Sequence, residues 1–306
     1  MKVALIDPSL FTPPYDQQLA DGLRRYGHRV TLYGRARTKA EAEAEPIDAV
    51  PHFYPELVAW RAEQWPGKLA KAMKGALHAR GMLRLLRSFE AEAPDVIHFQ
   101  WTPLPMIDRL FTDRLRRIAP LVLTAHDSRP FNDSPGSNVQ RIGATRIIRE
   151  FDRIIVHTES TRDRLAGYGV APARIVRIAH GFLHDGHRVE APPRVGPGET
   201  FRLLLFGKLK PYKGADILID AVAQLPESER RRLRVEIVGK PYMDTAPLIA
   251  AAEKLGGCVR FDFRYLGEEE MARAFARADA IVFPYRQIEV SGVLMAALRT
   301  FRPIVA

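Results

Sequence analysis

Short apolar runs alternate with helix-length amphipathic stretches along the whole chain of 306 residues. The runs predicted to form strands are Val3–Ile6, Arg29–Leu32, Val96–Phe99, Leu121–Thr124, Arg153–Val156, Arg202–Phe206, Arg234–Val238, Arg260–Phe263 and Ala280–Phe283. The helix-length stretches between them include Gln17–Tyr26, Asp216–Leu225 and Glu269–Ala276. Alternation of this kind specifies parallel sheets that are covered by helices on both faces. Because crossover connections are right-handed, we predict doubly wound α/β sheets.

One segment breaks this alternation. Residues His184–Thr200 contain three prolines and three glycines and have no apolar periodicity, which is typical of an exposed linker. A chain of 306 residues is also long for a single hydrophobic core. We therefore predict an N-terminal Rossmann-like domain at 1–184, a linker at 185–199 and a C-terminal Rossmann-like domain at 200–306.

The formal net charge of +10 favours an anionic partner. Nucleic acid, an acidic membrane surface and a phosphorylated small molecule all fit that description. The basic residues are scattered and form no zinc-finger or RNA-binding motif, so no nucleic-acid partner is expected. The stretch Lys68–Phe89 is predicted to be a basic amphipathic helix, which either covers the first sheet or contacts anionic lipid headgroups.

The sequence contains no signal-peptide or membrane-spanning pattern. Asp7 interrupts the first apolar run, and no later run reaches the roughly 18 apolar residues of a spanning helix. Cys258 is the single cysteine and cannot form an internal disulfide, which fits a reducing compartment. We expect a cytoplasmic protein, with peripheral contact at the inner membrane face as an alternative.

The segment Phe206–Val222 has the features of a phosphate-binding loop. Gly207 and Gly214 allow backbone to approach a ligand closely. Its lysines, which supply ammonium groups for phosphate oxygens, are Lys208, Lys210 and Lys213. The loop follows the carboxyl end of a predicted strand, where open α/β sheets bind ligands. A solvated basic turn is the alternative interpretation.

The segment Phe283–Leu298 has a second anion-binding pattern. Ser291 is a good N-cap residue, and the amides of Gly292 and Val293 would be unpaired in the first helical turn. Glu289 lies just before this turn and would repel a phosphate, so we expect it to accept hydrogen bonds from hydroxyls unless it only caps the helix. A diphosphate site beside a hydroxyl site indicates a nucleotide-sugar.

These segments resemble glycosyltransferase family four in order and spacing. The resemblance includes LVLTAHD at Leu121–Asp127, DRIIVHTESTRDRL at Asp152–Leu165 and EVSGVLMAAL at Glu289–Leu298. It implies the GT-B fold, in which two Rossmann-like domains face each other across a cleft. It also implies transfer of a sugar from a nucleotide diphosphate-sugar to the hydroxyl of a glycan or lipid-linked acceptor in polysaccharide or glycolipid synthesis, with retention of anomeric configuration.

The resemblance further implies roles for single residues of the donor site. Lys208 and Lys213 would bind the donor phosphates, and the backbone of Ser291, Gly292 and Val293 would hold the distal phosphate. Gly207 and Lys210 would belong to the same donor-site loop. Two catalytic residues are expected: His126, which would reach the donor sugar from the first domain, and Glu289, which would contact sugar hydroxyls. Pro13, Pro14 and Tyr15 would form a loop that faces the acceptor.

No metal is expected at this site. The sequence has no Asp-x-Asp pair that would bridge a diphosphate through a metal ion, and the family uses lysines and a helix terminus instead. His180, His184 and His187 lie close together in the sequence, but no cysteine or acidic pair accompanies them. We therefore expect no cofactor apart from the nucleotide-sugar itself.

Two features depart from the family pattern. The second glutamate of the family falls at Ala297, and the chain ends at Ala306 within a segment that reads as a strand. The second domain is therefore expected to be incomplete, as in a fragment or an unusually short member. The alternative function is a catalytically inactive donor-binding or scaffold protein of the same fold. A nucleotide-sugar epimerase also stays open, whereas a dinucleotide oxidoreductase is disfavoured because no Gly-x-Gly-x-x-Gly follows a strand.

Overall fold

The computed structural model describes residues 1–39, 47–56, 67–128, 142–181, 196, 199–286 and 291–306. The chain divides into two compact units, Met1–His180 and Gly181–Ala306, each of which is built on one parallel sheet. The predicted α/β class is therefore confirmed. The predicted linker at 185–199 lies almost entirely outside the described residues.

The first unit contains a seven-stranded parallel sheet with the order β3-β2-β1-β4-β5-β6-β7. Its strands are β1 (Lys2–Ile6), β2 (Arg29–Arg35), β3 (Ala49–Phe53), β4 (Val96–Phe99), β5 (Leu121–Ala125), β6 (Arg153–Val156) and β7 (Ile175–Arg177). The strand order reverses between β1 and β4, which are hydrogen-bonded neighbours. In doubly wound sheets such a reversal opens a crevice at the carboxyl ends of the strands, where ligands bind.

Five helices are described in the first unit. They are α1 (Pro13–Arg25), α2 (Gly67–Ala91), α3 (Pro105–Ile118), α4 (Ala144–Ile147) and α5 (Glu159–Gly167). Helix α2 buries Leu77, Met82 and Phe89 in the main core. It therefore covers the sheet, which is one of the two interpretations of the Lys68–Phe89 stretch. No helix in the described part of the chain has both the length and the apolar character needed to cross a bilayer.

The second unit contains a five-stranded parallel sheet with the order β10-β9-β8-β11-β12. Its strands are β8 (Phe201–Phe206), β9 (Leu233–Val238), β10 (Val259–Asp262), β11 (Ala280–Val282) and β12 (Ile304–Val305). Its described helices are α6 (Ala215–Ala223), α7 (Glu227–Arg230), α8 (Ala246–Glu253), α9 (Glu268–Arg277) and α10 (Gly292–Leu298). Apolar clusters around Leu205 and Leu204 cover the two faces of this sheet, because consecutive strand residues point to opposite sides. Its order reverses at β8, next to β11.

The structure differs from the sequence predictions at β3, β7 and the start of α1. Strands β3 and β7 are edge strands that were not predicted, and Pro51 within β3 is tolerated because an edge strand can leave one side unpaired. Helix α1 begins at Pro13 instead of Gln17. The prediction that Pro13, Pro14 and Tyr15 form a loop is therefore wrong. Proline is tolerated in the first helical turn, because a backbone N–H at that position would have no intrahelical acceptor.

Candidate active site

In the second unit, the loops that follow β8 and β11 meet at Gly207. This residue has a φ of +119°, and a Cβ placed on it would lie 3.1 Å from Val293 Cγ2 and 3.3 Å from Lys213 Nζ. A glycine therefore keeps a space open between the lysine and the start of α10. The structure thus brings together three of the predicted donor-site residues.

Lys213 lies at the end of the 3₁₀ turn Pro211–Lys213, and its side chain is buried, with 4% of the residue exposed. Its Nζ donates a hydrogen bond of 2.5 Å to the hydroxyl oxygen of Tyr285, and the ring centroid lies 4.3 Å away. Burial, together with the nearby charge of Lys210, lowers the pKa of Lys213 to about 8. Among the described residues no carboxylate forms an ion pair with Lys213. A buried ammonium in this state is stabilised by an incoming anion.

The loops after β8 and β11 contact each other at several points around Lys213. Gly214 has a φ of +67°, and any Cβ on it would overlap the carbonyl oxygen of Pro284. The amide of Arg286 donates to the carbonyl oxygen of Tyr212 at 2.8 Å. The guanidinium of Arg286 also pairs with the carboxylate of Asp216. These bonds hold the Lys213 turn against the segment that leads from β11.

Ser291 begins α10, as the sequence predicted. Its Oγ accepts a hydrogen bond of 3.2 Å from the amide of Leu294. The amides of Gly292 and Val293 lie in the first turn, where no intrahelical acceptor exists. Backbone donors thus lie near the buried lysine.

The remaining predicted residues of this unit are less enclosed. Lys208 is exposed, and Lys210 is half-buried beside Lys213. Glu289 falls within 287–290, outside the described residues. Ala297, where the family has its second glutamate, is fully buried in the core beneath α10.

In the first unit, aromatic and imidazole rings gather at the carboxyl ends of β4 to β7. The ring of His126 stacks on Trp101 with centroids 5.2 Å apart and meets Tyr15 edge-on at 4.8 Å. His157 lies 5.5 Å from His126 and 5.0 Å from His180. Burial, together with the neighbouring imidazoles, lowers the pKa of His126 well below its usual value. His126 is therefore neutral at physiological pH.

A hydrogen-bond chain fixes the proton position on His126. Its Nε2 lies 3.2 Å from Gln100 Oε1, an acceptor, so Nε2 carries the hydrogen and Nδ1 keeps a lone pair. The amide nitrogen of Gln100 in turn lies 3.3 Å from His98 Nε2, which is 2.8 Å from Thr124 Oγ1. Burial lowers the pKa of His98 to about 4, so this ring is also neutral. The chain presents His126 as a hydrogen-bonding group without charge.

A buried carboxyl pair shapes the turn between β1 and α1. Asp7 accepts hydrogen bonds from the amides of Ser9, Phe11 and Thr12 at 3.1, 2.5 and 3.2 Å. Burial and the adjacent Asp7 raise the pKa of Asp16 well above its usual value. The hydroxyl of Thr12 donates to Asp16 Oδ1 at 3.3 Å, so both carboxyls are bound to the turn from which the first residues of α1 emerge.

Tyr15 lies in the first turn of α1 and touches three imidazoles. Its ring is 4.8 Å from His126, 5.5 Å from His157 and 5.1 Å from His180. Burial raises the pKa of Tyr15 to about 12. Tyr15 thus lies beside His126, and it does so from a helix.

Several residues of these two sites were not identified from the sequence. They are Gln100, Trp101, His157, His180 and Tyr285. Four of them follow the end of a predicted strand by one to three residues, which is a signal that was available in the alternation of apolar runs. His180 follows β7, which was itself missed.

No group of three or more His, Cys, Asp or Glu side chains within the described ranges is arranged to hold a metal ion. Of the three clustered histidines considered in the sequence, His180 belongs to the ring cluster of the first unit. His184 and His187 lie outside the described residues.

Sequence profiles match most of the chain. The profile described as Glycosyltransferase Family 4 matches residues 17–184, and the profile described as Glycosyl transferases group 1 matches residues 200–306. The D-inositol 3-phosphate glycosyltransferase of Actinosynnema mirum is 29% identical over 320 residues, which covers 95% of this chain and 74% of that protein. The GDP-mannose:glycolipid 4-beta-D-mannosyltransferase of Xanthomonas campestris pv. campestris is 28% identical over 188 residues, 61% of this chain and 50% of its own.

Solved structures agree with the fold. Anabaena HepE in complex with UDP and glucose superposes with a TM-score of 0.70 at 18% identity, over 100% of this chain and 80% of that one. WaaG, a glycosyltransferase involved in lipopolysaccharide biosynthesis, superposes with a TM-score of 0.60 at 18% identity, over 99% and 80% of the two chains. The chain therefore belongs to glycosyltransferase family 4, among the group 1 glycosyltransferases, and has their GT-B fold.

Proposed function

We propose that this glycosyltransferase moves a sugar from a nucleotide diphosphate-sugar to an acceptor hydroxyl, with retention of configuration and without a metal ion. The observation that carries the proposal is the burial of Lys213 beside Gly207 and Tyr285 without a carboxylate partner among the described residues. A buried cation next to a space kept open by a glycine suits a phosphate group better than it suits water.

The donor diphosphate is the leaving group of the reaction. Negative charge grows on its oxygens as the glycosidic bond breaks, and preformed positive groups lower the barrier most when they face that charge. Lys213 and Lys208 would meet the phosphates, and the backbone of Ser291, Gly292 and Val293 would hold the distal one. Gly207 and Lys210 would complete the loop. Glu289 would accept hydrogen bonds from hydroxyls of the donor sugar.

The ring cluster of the first unit would bind the reacting sugars. His126 is neutral and hydrogen-bonded through Nε2 to Gln100, so it offers its Nδ1 lone pair to a hydroxyl. Tyr15, with Pro13 and Pro14 before it in the first turn of α1, would contact the acceptor. An aromatic lining next to neutral hydrogen-bonding groups is the usual composition of a carbohydrate pocket, in which ring faces bind apolar faces of the sugar.

The relatives narrow the candidate substrates. Their names specify inositol 3-phosphate as an acceptor, a glycolipid as an acceptor and GDP-mannose as a donor, and HepE was crystallised with UDP and glucose. We therefore propose a UDP- or GDP-sugar as donor and a glycan, a lipid-linked sugar or a phosphorylated polyol as acceptor. Contact of the Lys68–Phe89 helix with an anionic membrane at the inner face remains a separate prediction for a cytoplasmic protein.

A thermal-shift screen followed by a transfer assay tests the proposal. A donor at a hundred times its dissociation constant adds about 2.7 kcal/mol to the free energy of unfolding, so UDP-, GDP- and ADP-sugars can be ranked by the melting temperature they produce. The proposal predicts that the best donor also supports transfer. Binding without transfer to any acceptor would instead support the catalytically inactive donor-binding or scaffold alternative, and absence of binding would contradict both.

A further inference from the structure

His157 has one ring nitrogen that is satisfied and one that is not. The residue follows β6 and is 6% exposed. Its Nδ1 lies 2.9 Å from the carbonyl oxygen of Ile178, and a carbonyl only accepts, so Nδ1 carries the hydrogen. Nε2 is therefore a lone-pair acceptor. It is buried and has no hydrogen-bond partner.

An unsatisfied acceptor of this kind is uncommon, because most buried polar atoms have a partner and an unmet one costs free energy. The neighbouring groups do not supply the missing donor. No donor among the described residues forms a hydrogen bond with His157 Nε2, and the Nε2 hydrogen of His126 is directed to Gln100. Burial also lowers the pKa of His157, which disfavours protonation of Nε2.

The surroundings of His157 indicate what kind of group would satisfy it. Three rings, those of Tyr15, His126 and His180, lie within 5.0 to 5.5 Å of its centroid. A carboxylate or a phosphate offers no hydrogen to an imidazole lone pair, so an anion is a poor partner for this atom. A neutral hydroxyl is a good one, and it would lie between ring faces that suit a sugar.

We propose that His157 is a substrate-binding residue whose Nε2 accepts a hydrogen bond from a hydroxyl of the sugar or cyclitol that the enzyme handles. The proposal rests on the proposed function, because it assigns a hydroxyl-bearing ligand to the same ring cluster. Tyr15 is the ring that would have to move, since it packs against His126 and His157 from the first turn of α1. The hydroxyl belongs either to the donor sugar or to the acceptor.

Two substitutions separate binding from packing. His157→Asn places an amide near the position of Nδ1, so it keeps a donor for the Ile178 carbonyl and loses the acceptor at Nε2. His157→Gln reaches the position of Nε2 and keeps an acceptor there, while the bond to Ile178 is lost. A purely structural histidine would be replaced better by asparagine. A ligand-binding histidine would be replaced better by glutamine.

Calorimetric titrations of UDP-glucose, GDP-mannose and D-inositol 3-phosphate into the wild-type protein and both variants provide the test. We expect at least one of the three ligands to bind about threefold to tenfold more weakly to His157→Asn and near normally to His157→Gln. Loss with a nucleotide-sugar assigns the hydroxyl to the donor, and loss with the inositol phosphate assigns it to the acceptor. Unchanged affinity of His157→Asn for all three ligands, or absence of binding by the wild type, would overturn the inference.

Titration of UDP and GDP alone keeps this test distinct from the proposed function. Neither nucleotide carries the hydroxyl in question, so the wild-type protein and both variants are expected to bind them equally. If the nucleotides bind and His157→Asn changes nothing, the inference about His157 fails while the donor site stands. If no nucleotide diphosphate binds to the wild-type protein, the proposed function itself fails.

Discussion

The ammonium nitrogen of Lys213 lies 2.5 Å from the hydroxyl oxygen of Tyr285, a residue 72 positions away in the chain. This bond joins the loop after β8 to the loop after β11 at the point where the strand order of the second sheet reverses. A Cβ on Gly207 would touch both Lys213 Nζ and Val293 Cγ2, so the cation and the start of α10 lie close together before any ligand arrives. Such preorganisation is the main way in which an enzyme stabilises developing charge.

Lys213→Ala is expected to lower kcat for glycosyl transfer by about a hundredfold or more, because one charged contact to the leaving diphosphate is removed. The fold should remain intact, as judged by circular dichroism. Lys254→Ala, at an exposed position after α8, is the control and should leave kcat unchanged. A Lys213→Ala enzyme with near wild-type turnover would contradict the assignment.

Lys213→Met is expected to stabilise the unliganded protein while it removes function. Burial lowers the pKa of this lysine from 10.5 to about 8, so at pH 7 the charged side chain reduces the stability of the fold. A shift of this size corresponds to about 3 kcal/mol, and an apolar side chain of similar length recovers part of it. Chemical denaturation at pH 7 without ligand measures the difference. A less stable variant would show that Lys213 supports the fold instead of a ligand.

The pH dependence of kcat/KM for the donor should report the same lysine. The ammonium form exists below about pH 8 and is lost above it, so kcat/KM is expected to fall as the pH rises through about 8. The charge of Lys210 contributes to the lowered pKa, and Lys210→Ala should therefore move this limb to higher pH. A profile that is flat from pH 7 to 9 would contradict the pKa direction derived from burial.

Asp16→Asn tests the carboxyl pair beneath α1. Burial and Asp7 raise the pKa of Asp16 well above 3.8, so the folded state holds its proton more tightly than the unfolded state does. The contribution of Asp16 to the stability of the wild-type protein should then decrease as the pH rises above the usual range of a carboxyl group, whereas the buried histidines, whose pKa values are lowered, act in the opposite direction. An asparagine donates to Asp7 without titrating, so the stability of Asp16→Asn relative to the wild-type protein should increase as the pH rises above that range.

Melting temperatures between pH 5 and 8 measure the effect of Asp16→Asn. Asp21→Asn, on the same helix with a side chain that is 48% exposed, is the matched control and should keep the wild-type slope. If the melting temperatures of Asp16→Asn and the wild-type protein change in parallel with pH, Asp16 does not carry the proton assigned to it.

Ala297→Glu is expected to destabilise the protein instead of restoring the glutamate of the family. Ala297 is fully buried in the core that packs under α10. A glutamate there would place an unpaired carboxylate in an apolar environment, at a cost of several kcal/mol. The free energy of unfolding should fall accordingly. A variant that is as stable as the wild type would show that this core can open toward the solvent.

The positions of the residues predicted for the donor-site loop followed from the sequence because each depends on local features. Gly207, Lys213 and Ser291 could be placed from strand ends and turn residues alone, and the structure brings their loops together. The roles of Tyr285 and His157 were not predictable in this way. Their significance depends on which ring nitrogen or hydroxyl meets a partner 21 to 72 positions away, and apolar periodicity carries no information about such pairs.

The predicted boundaries of helices and strands were wrong where a proline was tolerated for a local reason. Strand β3 was not predicted because Pro51 argues against a central strand. The structure places β3 at an edge of the sheet, where a proline is tolerated. The two prolines before Tyr15 read as a loop, although the first turn of a helix accepts them. Tyr15 consequently reaches the histidines from a helix, which fixes its direction more tightly than a loop would.

The central claim is that the second unit binds a nucleotide diphosphate through Lys213 and the start of α10. Calorimetric titration of UDP and GDP, each compared with its nucleoside, into the wild-type protein and Lys213→Ala tests it directly. We predict that one diphosphate binds the wild type and loses about tenfold or more in affinity in Lys213→Ala, since a charge-assisted contact is removed, while the nucleoside binds both proteins equally. Equal affinity of the diphosphate for both proteins would contradict it.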